Sequence, residues 1–487
     1  MLAGFITLGS PLSARAVDVD WDNSSGDGVW TNPLNWVGDV VPQNGVQVDG
    51  DATFVNAAAG PATISATIPQ PRDIKFGSDV GGARPGAGTV NQTGGDAILQ
   101  GWFRMGISGG TGQYNLSGAT SLLEAGRFNV GENGAANNTL TVTSGTLRQR
   151  DNDNSEPNWS RIGSDGTATF NVSGGMVSFH SRTMFAAGGN SVATVTQTGG
   201  TVETRVGDIN IADTGTATYT ISGGTLRKGG GGGDGFVVGQ WTGSEANLNV
   251  SGTAAVISEA RMIIGHGDPA AAANTAVGEV TQTGGTVTIA DQLQLGQNVS
   301  GNGTYNLSGG VLDMTGAAIE IGAGTGAFNM TGGEIRNASS IEGAAGTFTQ
   351  GGGRLSVGSN TAALGITTIA GNYTQTGPTP VVAINITSAG SDTLDVNGTA
   401  TLTGTLDLEI APGTTLTQGQ VLTVLTADAL SGLFSDAVVT FTEDGFTFTA
   451  SYANNNVVLT VVPEPATAGL AVLGAAGLFL RRRRRSR

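Results

Sequence analysis

A chain of 487 residues is too long for a single ordinary core, and the complete lack of cysteine excludes disulfide staples and thiolate metal sites. Glycine fills 81 positions without a triplet period, and hydrophobic residues make up 38%, which excludes both collagen and a disordered chain. The formal charge of −16 understates the acidity of the body, because Arg481, Arg482, Arg483, Arg484, Arg485 and Arg487 crowd the last seven positions. A body so short of clustered Lys and Arg excludes a nucleic-acid partner.

Residues 1–16, "MLAGFITLGSPLSARA", hold an apolar run and then Ala14, Arg15 and Ala16, the small-x-small pattern read at signal cleavage. The segment reads as a signal peptide truncated at its basic n-region, with a buried first strand as the plainer alternative. Residues 17–84 follow as a Trp-rich N-terminal β cap. Their Trp21, Trp30 and Trp36 form either the core of that cap or a face that stacks on sugar rings, a candidate glycan contact.

From 85 to 378 one phrase recurs, as in "TVNQTGGDAI", "TYTISGGTL" and "TYNLSGGVL". Twelve copies align on an anchor at 94, 118, 144, 174, 199, 223, 252, 284, 309, 332, 352 and 377, which is Gly everywhere except Ser144. Four residues before it every copy is apolar or aromatic, from Val90 and Tyr114 to Phe348 and Tyr373. Two before it stand apolar residues in seven copies and Gln92, Gln197, Gln282, Gln350 and Gln375 in the others. Spacing by two places both positions on one face of a strand, and the glycine, free to take φ > 0, ends it. A second apolar position lies three after the anchor, as at Leu147 and Leu312, and a third element closes on phrases such as "FNVG" and "MIIG".

Copies 20 to 32 residues apart are too short to bury their own apolar side chains and must stack on one another. Three strands per copy predict an all-β fold, a parallel β-helix (solenoid) of about twelve coils with β caps, since open ends would expose strand edges. The five inward glutamines require partners on neighbouring coils. Residues 379–462 form a C-terminal β region of alternating polar and apolar residues that reads equally as continued solenoid or as antiparallel strands.

Little in the chain predicts chemistry. Only His180 and His266 occur, the latter expected in a solvated loop, and Glu203 with Arg205 or Glu259 with Arg261 are the nearest approach to dyads. "DNDNSE" (151–156) fails the EF-hand pattern at its glycine and terminal glutamate positions. "GGGGGDGF" (229–236) meets a calcium nonapeptide only through its glycine run. No enzyme activity and no cofactor are expected, calcium being the sole candidate ion. Three convergent carboxylates in a groove, or Trp102, Trp159 or Trp241 lining one, would instead favour a carbohydrate-active β-helix enzyme or glycan-binding module. An even Ser, Thr and Asn surface would favour a structural rod.

The last segment, 463–487, opens with Pro463, Glu464 and Pro465, continues through the uncharged stretch 466–480 and ends in the cluster Arg481 to Arg485. As a helix, 466–480 would rise ~22 Å, less than a ~30 Å hydrocarbon core, and the arginines would hold its end in the cytoplasm. The three parts in this order resemble the PEP-CTERM sorting signal. That resemblance implies export, a transmembrane stage at 466–480, and an exosortase-type processing enzyme as partner in a Gram-negative-type bacterium that makes exopolysaccharide. The body is similar to autotransporter-associated β-strand repeats, and "DGVWTNPLNW" resembles their leader. The expected role is that of a structural or adhesive protein of the cell surface or extracellular matrix, associated with exopolysaccharide or biofilm.

Overall fold

The computed structural model describes residues 18–463, apart from 45–49, 79–83, 152–157, 231–234, 271–274, 359–363, 378 and 438–439. The fold is an all-β parallel solenoid of about 14 turns. Residues 1–16 and the expected transmembrane segment 466–480 lie outside the described residues, among which no helix is long and apolar enough to cross a membrane.

Contacts divide the chain into two compact units, Met1–Gly207 with Gly215–Ala217, and Asp208–Thr214 with Thr218–Arg487. Within each, most strands hydrogen-bond to a strand two or three further along the chain, so that three parallel ladders run side by side. In the first unit one ladder starts at Ala62–Ile64 and passes through Ala87–Gln92 and Thr111–Leu116 to Val192–Gln197. Its register sets Val90 against Tyr114, Tyr114 against Leu140, and Leu140 against Phe170, the positions that share one place relative to the anchor. The second ladder likewise aligns Leu123, Leu147, Val177 and Val202. In the second unit Leu248, Val280, Tyr305 and Phe328 form one column, and Val256, Val287, Leu312, Ile335 and Leu355 another. Side chains of period two thus meet only their counterparts, and each buried one contributes about 1.5–3 kcal/mol.

The paired glycines of the phrase do two different jobs. Where the phrase has two glycines, positive φ falls on the second, as at Gly95, Gly175, Gly200, Gly285 and Gly310; among the anchors only Gly252 and Gly377 take it. The anchor glycine is required for space: a Cβ would sit 2.4 Å from the Thr283 carbonyl oxygen at Gly309 and 2.3 Å from that of Ser308 at Gly332. The expectation that the anchor breaks the strand through φ holds at Gly252 and Gly377 and is corrected where a second glycine follows, since there the anchor permits close approach of successive coils.

Fourteen turns exceed twelve phrases because a coil requires alternating strands, not the glycine phrase. Asp18–Asp20, Asp51–Phe54 and Ile74–Phe76 already belong to the third ladder, so the N-terminal region is solenoid as well as cap. Beyond 378, Val381–Thr387, Thr393–Leu402 and Thr405–Ile410 continue in parallel. Val421–Gly432 then pairs antiparallel with Asn456–Val462, which pairs with Phe446–Ala453, and that strand with Thr440–Glu443. Both alternatives for 379–462 are therefore realised in succession.

Candidate functional site

Four of the five inward glutamines lock coil to coil, while Gln197 Nε2 donates to the Gly200 carbonyl of its own turn. Gln92 Nε2 donates to the Gly95 carbonyl at 2.8 Å and to that of Leu122, one coil on, at 3.0 Å; its Oε1 accepts from the Tyr114 hydroxyl at 2.7 Å. Gln282 repeats this with Gly285, Val311 and Tyr305, and Gln350 with Gly353, Val381 and Tyr373. Gln375 instead accepts from the backbone N–H groups of Thr403 and Gly404, because Ala400 occupies the place a tyrosine would take. Burial pushes the phenols of Tyr114, Tyr305 and Tyr373 far above their ordinary range. These amides are structural, and every tyrosine at that place in the sequence follows a coil bearing Gln, including Tyr219 after Gln197.

Two surfaces offer themselves to ligands. The outward positions three and five before the anchor hold only Thr, Asn and Gln, save Glu279 and Ala327, and all are half-buried or exposed. Several are tied across coils, as Asn115 is to Asn91 at 2.9 Å and Asn329 to Asn306 at 2.8 Å. In the first unit a groove of about 370 Å³ opens on this face, with Thr89, Thr111, Gln113 and Asn137 beside Gly88 and Gly112. A second groove, about 280 Å³, is lined by Glu124, Arg148, Arg150, Asp151 and Arg205. Its two carboxylates are both engaged: Arg148 and Arg150 bind Glu124, and Arg205 binds Asp151, holding that carboxyl below its usual range.

The expected residues are distributed as follows. Trp21, Trp30 and Trp36 are 2%, 0% and 0% exposed, with ring centroids 4.8–4.9 Å apart and Phe54 beneath them. Their faces are covered by protein, so the glycan contact considered for them is corrected to a cap core. An Asp27 carboxyl held down at about 2 by the Val29 N–H and the Asn35 and Asn32 amides secures the loop over them. Trp102 lies under Arg127 at 4.7 Å and Trp159 under Arg182 at 4.9 Å, and neither is among the residues of the two grooves described above. His266 is 7% exposed and packs edge-on to Trp241 at 5.0 Å, which corrects the solvated loop expected for it. Of the residues considered as dyads, Glu203 accepts from Ser178, Arg205 pairs with Asp151 and Glu259 pairs with Arg227. No group of three or more His, Asp or Glu is placed to hold a metal among the described residues, and 152–156 and 231–234 of the two calcium-like loops lie outside them.

One cluster escaped the sequence reading. In the third ladder Asp18 stands opposite Asp51, and Lys75 reaches between them, with Nζ 2.5 Å from Asp51 Oδ2 and 3.3 Å from Asp18 Oδ1. Arg72 grips Asp51 at 3.0 and 3.1 Å, the Asp73 N–H donates to Asp51 Oδ1 at 3.2 Å, and Arg84 and Ser78 hold Asp18. Asp51 is fully buried and Lys75 is 2% exposed. Burial raises the Asp51 carboxyl against the pull of Lys75; burial also opposes the Lys75 charge, but the hydrogen bond it donates to Asp51 and the charges of Asp51, Asp18 and Asp73 together hold its amine above the usual range. Spacings of 18, 51, 72, 75 and 84 follow no period, so no pattern could have flagged them.

At the other end Val461 and Val462 finish the last strand and Pro463 is exposed immediately after it, while Glu464, Pro465 and Arg481 to Arg485 lie outside the described residues. Residues 461–485 match the model of the PEP-CTERM protein-sorting motif. The chain carries this sorting signal. A PEP-CTERM signal implies export by way of exosortase, the enzyme that recognises it, and sorting to the cell envelope or surface. No curated protein matches the chain.

Proposed function

We propose that the chain is a non-catalytic structural and adhesive protein of the cell surface or extracellular matrix, which presents its uncharged Thr and Asn face to exopolysaccharide. The carrying observation is that face: hydroxyl and amide groups repeat at every coil, ~4.8 Å apart, in a chain whose net charge is −16. A regular row of neutral donors and acceptors suits a polyhydroxylated chain lying along the coils, whereas charged rows would repel or select anions. The PEP-CTERM tail supports delivery to a Gram-negative-type envelope with transient membrane retention at 466–480, and the coil repeats support kinship with autotransporter-associated β-strand repeats in a biofilm setting. No cofactor enters this role.

Co-sedimentation of the full chain with the host's own exopolysaccharide tests the reading. Binding should survive high salt and fall when Thr194 and Thr196 are replaced by Glu; equal binding by that variant would defeat it. Mass spectrometry of the exported protein checks delivery, with loss of the segment beyond Pro465 expected and an intact Arg487 against it.

A further inference from the structure

We propose that Lys75 and Asp51 join covalently, their side chains condensing to an amide that ties two successive strands of the N-terminal cap. The amine already lies against the carboxyl group, with Nζ 2.5 Å from Oδ2, the oxygen that leaves. Both side chains are shut away from water, which would otherwise compete at the carboxyl carbon and favour hydrolysis.

The remaining groups supply what such a condensation needs. Asp18 Oδ1, 3.3 Å from Nζ, accepts a proton from the Lys75 ammonium and leaves the free amine as nucleophile. The amine attacks the Asp51 carboxyl carbon, and negative charge gathers on Oδ1, where the Arg72 Nε at 3.1 Å and the Asp73 N–H at 3.2 Å donate to it. Oδ2 departs as water, taking one proton from the amine nitrogen and one back from Asp18. A C–N bond forms, a C–O bond breaks, and one carboxylic acid and one amine become one amide and one water, with no oxidant or co-reactant. Ser78 and Arg84 keep Asp18 aimed from its far oxygen, Oδ2.

This inference stands apart from the proposed polysaccharide role, because it concerns only the cap. Its test is the intact mass of the purified full chain, followed by tryptic peptides. Trypsin releases Asp51 in a peptide ending at Arg72 and cuts after Lys75 when that side chain is free. The expected result is a mass lower by one water, no cleavage at Lys75, and the two peptides found joined. Asp18→Asn should slow formation of the joined species by about 100-fold or more while both partners remain. The full mass with free peptides, or a lost water with the peptides unjoined, would overturn the proposal.

Discussion

The two ends of the chain solve one problem by different physics. A solenoid that stops leaves a row of unpaired N–H and C=O groups, which invites another chain. At the N-terminal end the row is covered by bulk: Trp21, Trp30 and Trp36 stack over Phe54, a loop pinned by Asp27 and Asn35 crosses them, and buried charges are paired beneath. At the C-terminal end direction is reversed instead, as Asn456–Val462 runs antiparallel along Val421–Thr426 and uses up the edge. The first solution depends on side chains that cannot be replaced piecemeal, the second on backbone pairing that tolerates them.

That contrast can be broken by substitution. Trp36→Ala should cost about 3–5 kcal/mol and give concentration-dependent oligomers by light scattering, since the ring seals the aromatic cap. Leu459→Ala, in a strand whose backbone pairing survives, should cost about 2–3 kcal/mol in denaturant unfolding without oligomers. Equal association by both variants would erase the distinction drawn here.

The coils between the ends are held by polar couples rather than by rings alone. Tyr305→Phe strands the Gln282 acceptor in the core and should cost about 1–3 kcal/mol, whereas Gln282→Leu combined with Tyr305→Phe should regain much of it. A double-mutant cycle by urea unfolding reads the coupling. The same phenols make a pH prediction. A tyrosine whose folded-state pKa lies above its unfolded value near 10 contributes stability that is whole below pH 10 and is lost as pH rises past it. Tyr114, Tyr305 and Tyr373 are all shifted upward and Tyr452, in the C-terminal meander, to about 12. Above pH 10 stability should therefore fall by about 1.4 kcal/mol per pH unit per buried tyrosine, and the tyrosinate absorbance of Tyr114, Tyr305 and Tyr373 should appear only together with unfolding. Smallest of all, Ala212→Gly should stabilise by about 0.5 kcal/mol, because Ala212 holds φ +56° at the corner where Gly239, Gly265 and Gly296 stand in other coils.

Much of this architecture was legible. The columns through Tyr114 and Leu140 or Leu312 and Ile335 follow from counting to the anchor, because a strand's period of two leaves no freedom of register once one face is buried. The couple of glutamine and tyrosine was also written in the sequence, one coil apart, though only stacking gives it meaning. What could not be read were contacts with no period: the burial of Trp21, Trp30 and Trp36, the seat of His266 against Trp241, and the meeting of Asp18, Asp51 and Lys75. Such contacts depend on how loops of unequal length fold back, and nothing local specifies that. The sorting tail was legible for the opposite reason, since its order of proline pair, apolar run and arginines is read as a linear message.

Because Gln282 finds its partner on the following coil and Gln350 likewise, neighbouring coils are not interchangeable parts. Deleting a copy that carries one half of such a couple would orphan an amide or a phenol, so there the repeats can shorten safely only in matched pairs. The chain's history of growth is thereby constrained by three hydroxyl-to-amide bonds as firmly as by its glycines.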